Sequence, residues 1–210
     1  MGDDVNLEEI ERRALRAYHE DGLIDVFIGG YFLLLSLYFS IKIDDARFLR
    51  ITPLALGTWL YLEAKKRITD PRLGYVRLTK ERTRHVAFYT IIIMIVTGFV
   101  MLSGLFYHMG IPDEAPPLVL FLNRYNLVFQ GVVIAIIFLS LGRLMHLSRF
   151  YRYSMISLLV FSSGYIYLSQ PFIYSTQNTA ISCMFIGFII LVLGVIRLRR
   201  FIGKYSGRPN

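Results

Sequence analysis

Long apolar runs alternate with short polar or basic segments along the whole chain, a pattern that predicts membrane-crossing helices joined by brief connections. The clearest run, VAFYTIIIMIVTGFVMLSGLFY at 86–107, carries no charge and is as long as the roughly 20 apolar residues needed to cross a bilayer. Between 153 and 196 there is again no charged residue, and QPFIYSTQN at 170–178 divides that stretch into two spans, with Pro171 ending or bending the helix. Residues 24–41 are long enough to cross with little tilt. Residues 48–64 form a shorter span with Pro53 near its start, where a missing N–H costs little and where Asp44 or Asp45 is positioned to cap. A further span at 118–141 is interrupted by NRYN at 123–126 and by Gln130.

The pattern therefore predicts an all-α polytopic membrane protein with six transmembrane helices, at 24–41, 48–64, 86–107, 118–141, 153–169 and 177–197. Before the first span, Asn6 and Glu9 have capping-box spacing, and Leu7, Ile10, Ala14, Ala17 and Tyr18 recur at helical intervals opposite Glu8, Glu11, Arg12 and Arg16. Residues 1–22 thus read as an amphipathic interfacial helix ended by Gly22, either lying on the inner leaflet or capping the bundle. The transmembrane domain covers 23–200 and includes a basic loop at 65–85; residues 201–210 form a tail.

Charge adds orientation. The net charge of +8 raises nucleic acid as a partner, but the distribution of Lys and Arg favours topology instead. Three lie in the N-terminal arm, eight in 63–85, three in 142–152 and five in 197–210, while the turns at 109–117 and 169–178 have none. Every second connection is basic, which predicts that both termini and the 65–85 loop are cytoplasmic. Within that loop, TDPRLGYVRLTKERTR at 69–84 offers Arg72, Tyr75, Arg77, Lys80, Arg82 and Arg84 to anionic headgroups or to a cytosolic partner. Adjoining spans hold the loop close to the membrane, so nucleic-acid binding ranks below lipid contact, and Thr79 is placed to cap a helix running into the third span. No cleavable signal peptide is expected, because the first 22 residues are charged. Cys183 is the sole cysteine and cannot form an internal disulfide or a thiolate metal site.

The DGL that opens the first span and the PRLGYV after the second are similar to motifs of uncharacterised multi-span membrane proteins of bacteria and archaea. The resemblance covers about the first 85 residues and implies a multi-span fold in a prokaryotic cytoplasmic membrane; it implies no activity.

Polar residues inside a span are costly and are candidate functional groups by default. Asn123, Asn126 and Gln130 fall on one face of the fourth span, with Arg124 beside them. One interpretation is a solute or ion pocket in which Arg124 attracts an anionic group, with Ser162, Ser163, Gly164, Tyr165 and Tyr167 of the fifth span as a second wall. The other is structural, with Arg124 snorkelling to Asp113 or Glu114 and the amides bonding across helices. Small residues mark packing stripes. Gly29, Gly30 and Ser36 in the first span and Gly187 and Gly194 in the sixth permit close helix approach, to each other or to a second copy.

Catalytic signals are weaker. SSG at 162–164 has no histidine base in the sixth span, and DGLID lacks the later aspartates of the six-span phosphatidyltransferases that it resembles in outline. His19, His85 and His146 near Asp25 and Glu63 match no metal spacing, and no cofactor or metal is expected. Three functions follow in order: non-enzymatic binding or transport of a small solute or lipid through the fourth helix; a structural or regulatory homodimer contacting anionic lipid or a cytosolic partner; and a membrane-boundary enzyme using Asp25, His85 and His146.

Overall fold

The computed structural model describes residues 18–40, 48–73, 117, 121, 125–168 and 175–205. Over these residues it is all-helical: α1 Leu23–Ser40, α2 Phe48–Ile68, the four-residue α3 Asp70–Leu73, α4 Asn126–Met145, α5 Ser148–Leu168 and α6 Ser175–Tyr205. Asn126–Met145 and the Gln177–Tyr205 part of α6 are long and apolar enough to cross a membrane by length and composition, and Leu23–Leu37 is a shorter apolar helix. Residues 1–17 of the arm expected at 1–22, the span at 86–107 and the loop beyond Leu73 lie outside the described residues.

Helix ends differ from the expected spans because a charged residue ends an apolar run without ending a helix. α2 continues past the expected boundary at 64 through Lys65, Lys66 and Arg67, cations that suit the negative end of the helix dipole. α6 runs to Tyr205 where a span ending at 197 is expected. The 142–152 segment, expected to be a loop, is nearly all helix. α4 closes at Met145, His146 adopts the left-handed conformation at φ 53°, and α5 starts at Ser148. The backbone N–H groups of His146 and Leu147 both donate to the Gly142 carbonyl, so this two-residue connection satisfies the helix end itself.

The chain divides into two compact units. Unit 1 contains residues 1–79 and 183–210, and unit 2 contains residues 80–182, so α6 contributes to both. In unit 1, α1 crosses α6 with almost no side chain between the backbones. A Cβ on Gly29 would lie 2.5 Å from the Leu191 nitrogen, and one on Gly194 would lie 2.6 Å from the Val26 nitrogen. Gly187 faces Leu33 and Phe32 in the same seam, Ser36 is buried, and Gly30 faces open space.

Unit 2 is centred on the α4–α5 hairpin. Phe138, Phe150 and Tyr153 form a buried aromatic cluster with ring centroids 5.8–6.3 Å apart. The Gly131 position lies directly against the Phe161 side chain, which brings the two helices together one layer further on. Large apolar side chains also point outward, with Leu159 at 68% and Ile166 at 70% exposure.

Candidate functional site

In unit 2 the polar face of α4 turns inward. Asn126 and Gln130 are both buried, and the Gln130 amide donates to the Asn126 side-chain oxygen across one helical turn at 3.2 Å. The Gln130 carbonyl oxygen accepts a hydrogen bond from the Thr179 hydroxyl of α6, also at 3.2 Å. Thr179 is flanked on α6 by Asn178 and Ser182, which are buried too. The result is a cluster of neutral amides and hydroxyls on a helix with no charge before Arg143.

The expected second wall is arranged differently. Ser163 is exposed, and its hydroxyl donates to the Val160 carbonyl of its own helix, as serines in apolar helices commonly do. Tyr165 packs at a tilt against Tyr125 at the start of α4, with ring centroids 5.5 Å apart, and Phe121 also packs against Tyr125, at 4.7 Å. Gly164 faces Ser182 and Leu127. Thr179, with Asn178 and Ser182 beside it, supplies the polar partner for Gln130. The readable signal was the recurrence of Asn178, Thr179 and Ser182 on one face of the sixth span. Asn123 and Arg124 lie outside the described residues, as do Tyr75, Arg77, Lys80, Arg82 and Arg84; Arg72 falls on α3, with its side chain outside them.

Unit 1 holds a second polar centre, built on the DGLID turn. Gly22 has φ 77°, a left-handed conformation that suits glycine, and its carbonyl accepts the N–H groups of Asp25 and Val26 to start α1. One oxygen of the fully buried Asp21 carboxylate accepts the Leu23 N–H, as a helix cap does. The other accepts the Thr69 hydroxyl at 2.6 Å and lies 3.7 Å from the Lys65 ammonium. That ammonium also donates to the Tyr61 hydroxyl at 3.1 Å and sits 4.0 Å from the centre of the Tyr18 ring, a cation–π contact. The Tyr18 hydroxyl in turn donates to Asp70, at the start of α3.

One turn further, Asp25 is fully buried and pairs with Arg197 of α6 at 2.7 Å. Two carboxylates of one short turn therefore reach bases on two different helices, and each base offsets the cost of burying its acid. Asp25 is engaged by Arg197, His146 forms the α4–α5 corner in unit 2, and His85 lies outside the described residues. Among the described residues no group of three or more His, Cys, Asp or Glu is arranged to hold a metal ion. No family model, curated protein or solved structure matches the chain.

Proposed function

We propose that this chain is a six-span integral membrane protein, with both termini cytoplasmic, that binds and passes a small neutral polar solute along α4. The observation that carries this reading is the buried cluster of Asn126, Gln130 and Thr179 within helices otherwise suited to lipid. Amides and hydroxyls both donate and accept, so the cluster can exchange its own 3.2 Å bonds for bonds to a solute with the same groups. Its groups are neutral, which disfavours an ionic substrate at this level. The outward Leu159 and Ile166 support insertion, because a bilayer accepts such a surface and water does not.

The test is osmotic. Proteoliposomes challenged with urea, acetamide or glycerol in a stopped-flow light-scattering assay should re-swell faster than protein-free liposomes for at least one solute, and Gln130→Leu should abolish the difference. Swelling equal to that of empty liposomes for all three solutes, or unaffected by Gln130→Leu, would remove the proposal.

A second reading is favoured by the direct Gln130–Thr179 bond between α4 and α6, which is also what a fastener between helices would use. A fastener alone predicts that Gln130→Leu lowers stability while permeation never exceeds the lipid background. A homodimeric role, and contact of the 72–84 segment with anionic lipid, remain compatible with either reading.

A further inference from the structure

Unit 1 sorts its cations. Lys65 and Arg197 turn inward to Asp21 and Asp25, and Arg67 pairs with Glu63 at the surface at 3.0 Å. Arg199, Arg200 and Lys204, on the last turns of α6, are exposed, and none of them has an ion-pair partner among the described residues. At about 100° per residue, positions 199, 200, 203 and 204 fall within one arc of roughly 140°. Gly203, inside that arc between Arg199 and Arg200, has nothing within 4 Å of its Cβ position, while Phe201 on the other side is buried. This face is open and positive.

Helix length sets its depth. The uncharged part of α6, residues 175–196, spans about 33 Å at 1.5 Å per residue, close to the ~30 Å of a hydrocarbon core. Residues 197–205 then emerge at the level of the headgroups. Tyr205, half-buried and with its ring centroid 4.8 Å from that of the buried Phe201, brings an aromatic ring to that same level, where such a ring anchors a span.

We propose that Arg199, Arg200 and Lys204 form a binding surface for the anionic phospholipid headgroups of the leaflet from which α6 emerges. The guanidinium groups suit bidentate contact with phosphate oxygens, and the ammonium adds a point charge. The surface lies where phosphates are most concentrated, which favours lipid over a soluble acidic protein. The proposal rests on membrane insertion of α6 and is independent of the solute site.

The experiment uses the full chain purified in neutral detergent, mixed with equal amounts of phosphatidylglycerol and phosphatidylcholine, and native mass spectrometry to count retained lipid. The wild type should retain phosphatidylglycerol preferentially, and less so at high salt. R199Q/R200Q/K204Q should lose the preference, at about fivefold per cation removed, with an unchanged melting temperature. R199K/R200K should keep most of the preference. Equal retention of the two lipids by the wild type would overturn the proposal, as would a triple variant that still prefers phosphatidylglycerol. So would binding of an acidic protein, but not lipid, through these three residues. Release of the chain from membranes by alkaline carbonate would overturn insertion and this proposal together; a chain that stays inserted without lipid preference refutes the lipid surface alone.

Discussion

The two units solve the same problem, the burial of polar groups, around different centres: ion pairs in unit 1 and a neutral network on α4 and α6 in unit 2. Unit 1 buries full charges and matches them in pairs, Asp25 with Arg197 and Asp21 with Lys65. Unit 2 also buries one cation, Arg149 at the start of α5, but its polar network on α4 and α6 is neutral and runs in a chain, Asn126 to Gln130 to Thr179. A buried ion pair is intolerant of losing one member, because the remaining charge has no compensation. A neutral network loses only a hydrogen bond or two when one member goes, and its groups can accept a different partner. Unit 1 therefore reads as a clamp, and on the proposed function unit 2 is where a ligand is exchanged.

The sharpest way to break this contrast is to remove one charge. Arg197→Met should destabilise the protein by about 3–5 kcal/mol in a detergent unfolding titration, by removing the cation paired with the fully buried Asp25 carboxylate. Asp25→Asn together with Arg197→Met should cost less than Arg197→Met alone. Simple additivity of the two changes would mean that the pair is not the clamp.

Next in size is the glycine seam of unit 1. Gly194→Leu forces side-chain atoms into the Asp25–Val26 backbone and should cost about 2–3 kcal/mol or more by the same titration, whereas Gly30→Ala, at a position with nothing within 4 Å, should be neutral within ~0.5 kcal/mol. If the two glycines respond alike, α1 and α6 do not cross as described.

Smallest is the effect in unit 2. Gln130→Leu should cost only about 1–2 kcal/mol, since hydrogen bonds between helices in a membrane are individually weak. On the proposed function its larger consequence should be the loss of solute permeation. A stability loss as great as that of Arg197→Met would make unit 2 a clamp as well and would favour the fastener reading.

These differences also explain what could be read from the chain alone. The four-residue spacing of Asn126 and Gln130 puts them on one helix face, a local property that periodicity reports. Their partner Thr179 is 49 residues from Gln130, and no local pattern encodes that pairing. The same holds more strongly for Asp25 and Arg197, which are 172 residues apart. Lys65 was obscured for another reason. It opens a basic stretch that resembles a solvated loop, yet α2 continues through it and turns this one lysine inward among Tyr18, Tyr61 and Asp21. Gly29, Gly187 and Gly194 were legible as sites of close approach; which helix approaches, and that Gly30 does not take part, required the three-dimensional packing.

On the proposed function, α5 and α6 lie in a bilayer with the basic end of α6 on the cytoplasmic side. Because Cys183 is the sole cysteine, a Cys183→Ser background allows single cysteines to be placed at Gly203, which is open, and at Leu159, which is exposed and apolar. With a membrane-impermeant maleimide, Gly203→Cys should react in inside-out vesicles and not in right-side-out ones, and Leu159→Cys should react in neither until detergent is added. Labelling of Gly203→Cys from the outer side, or of Leu159→Cys in intact vesicles of either orientation, would contradict the account.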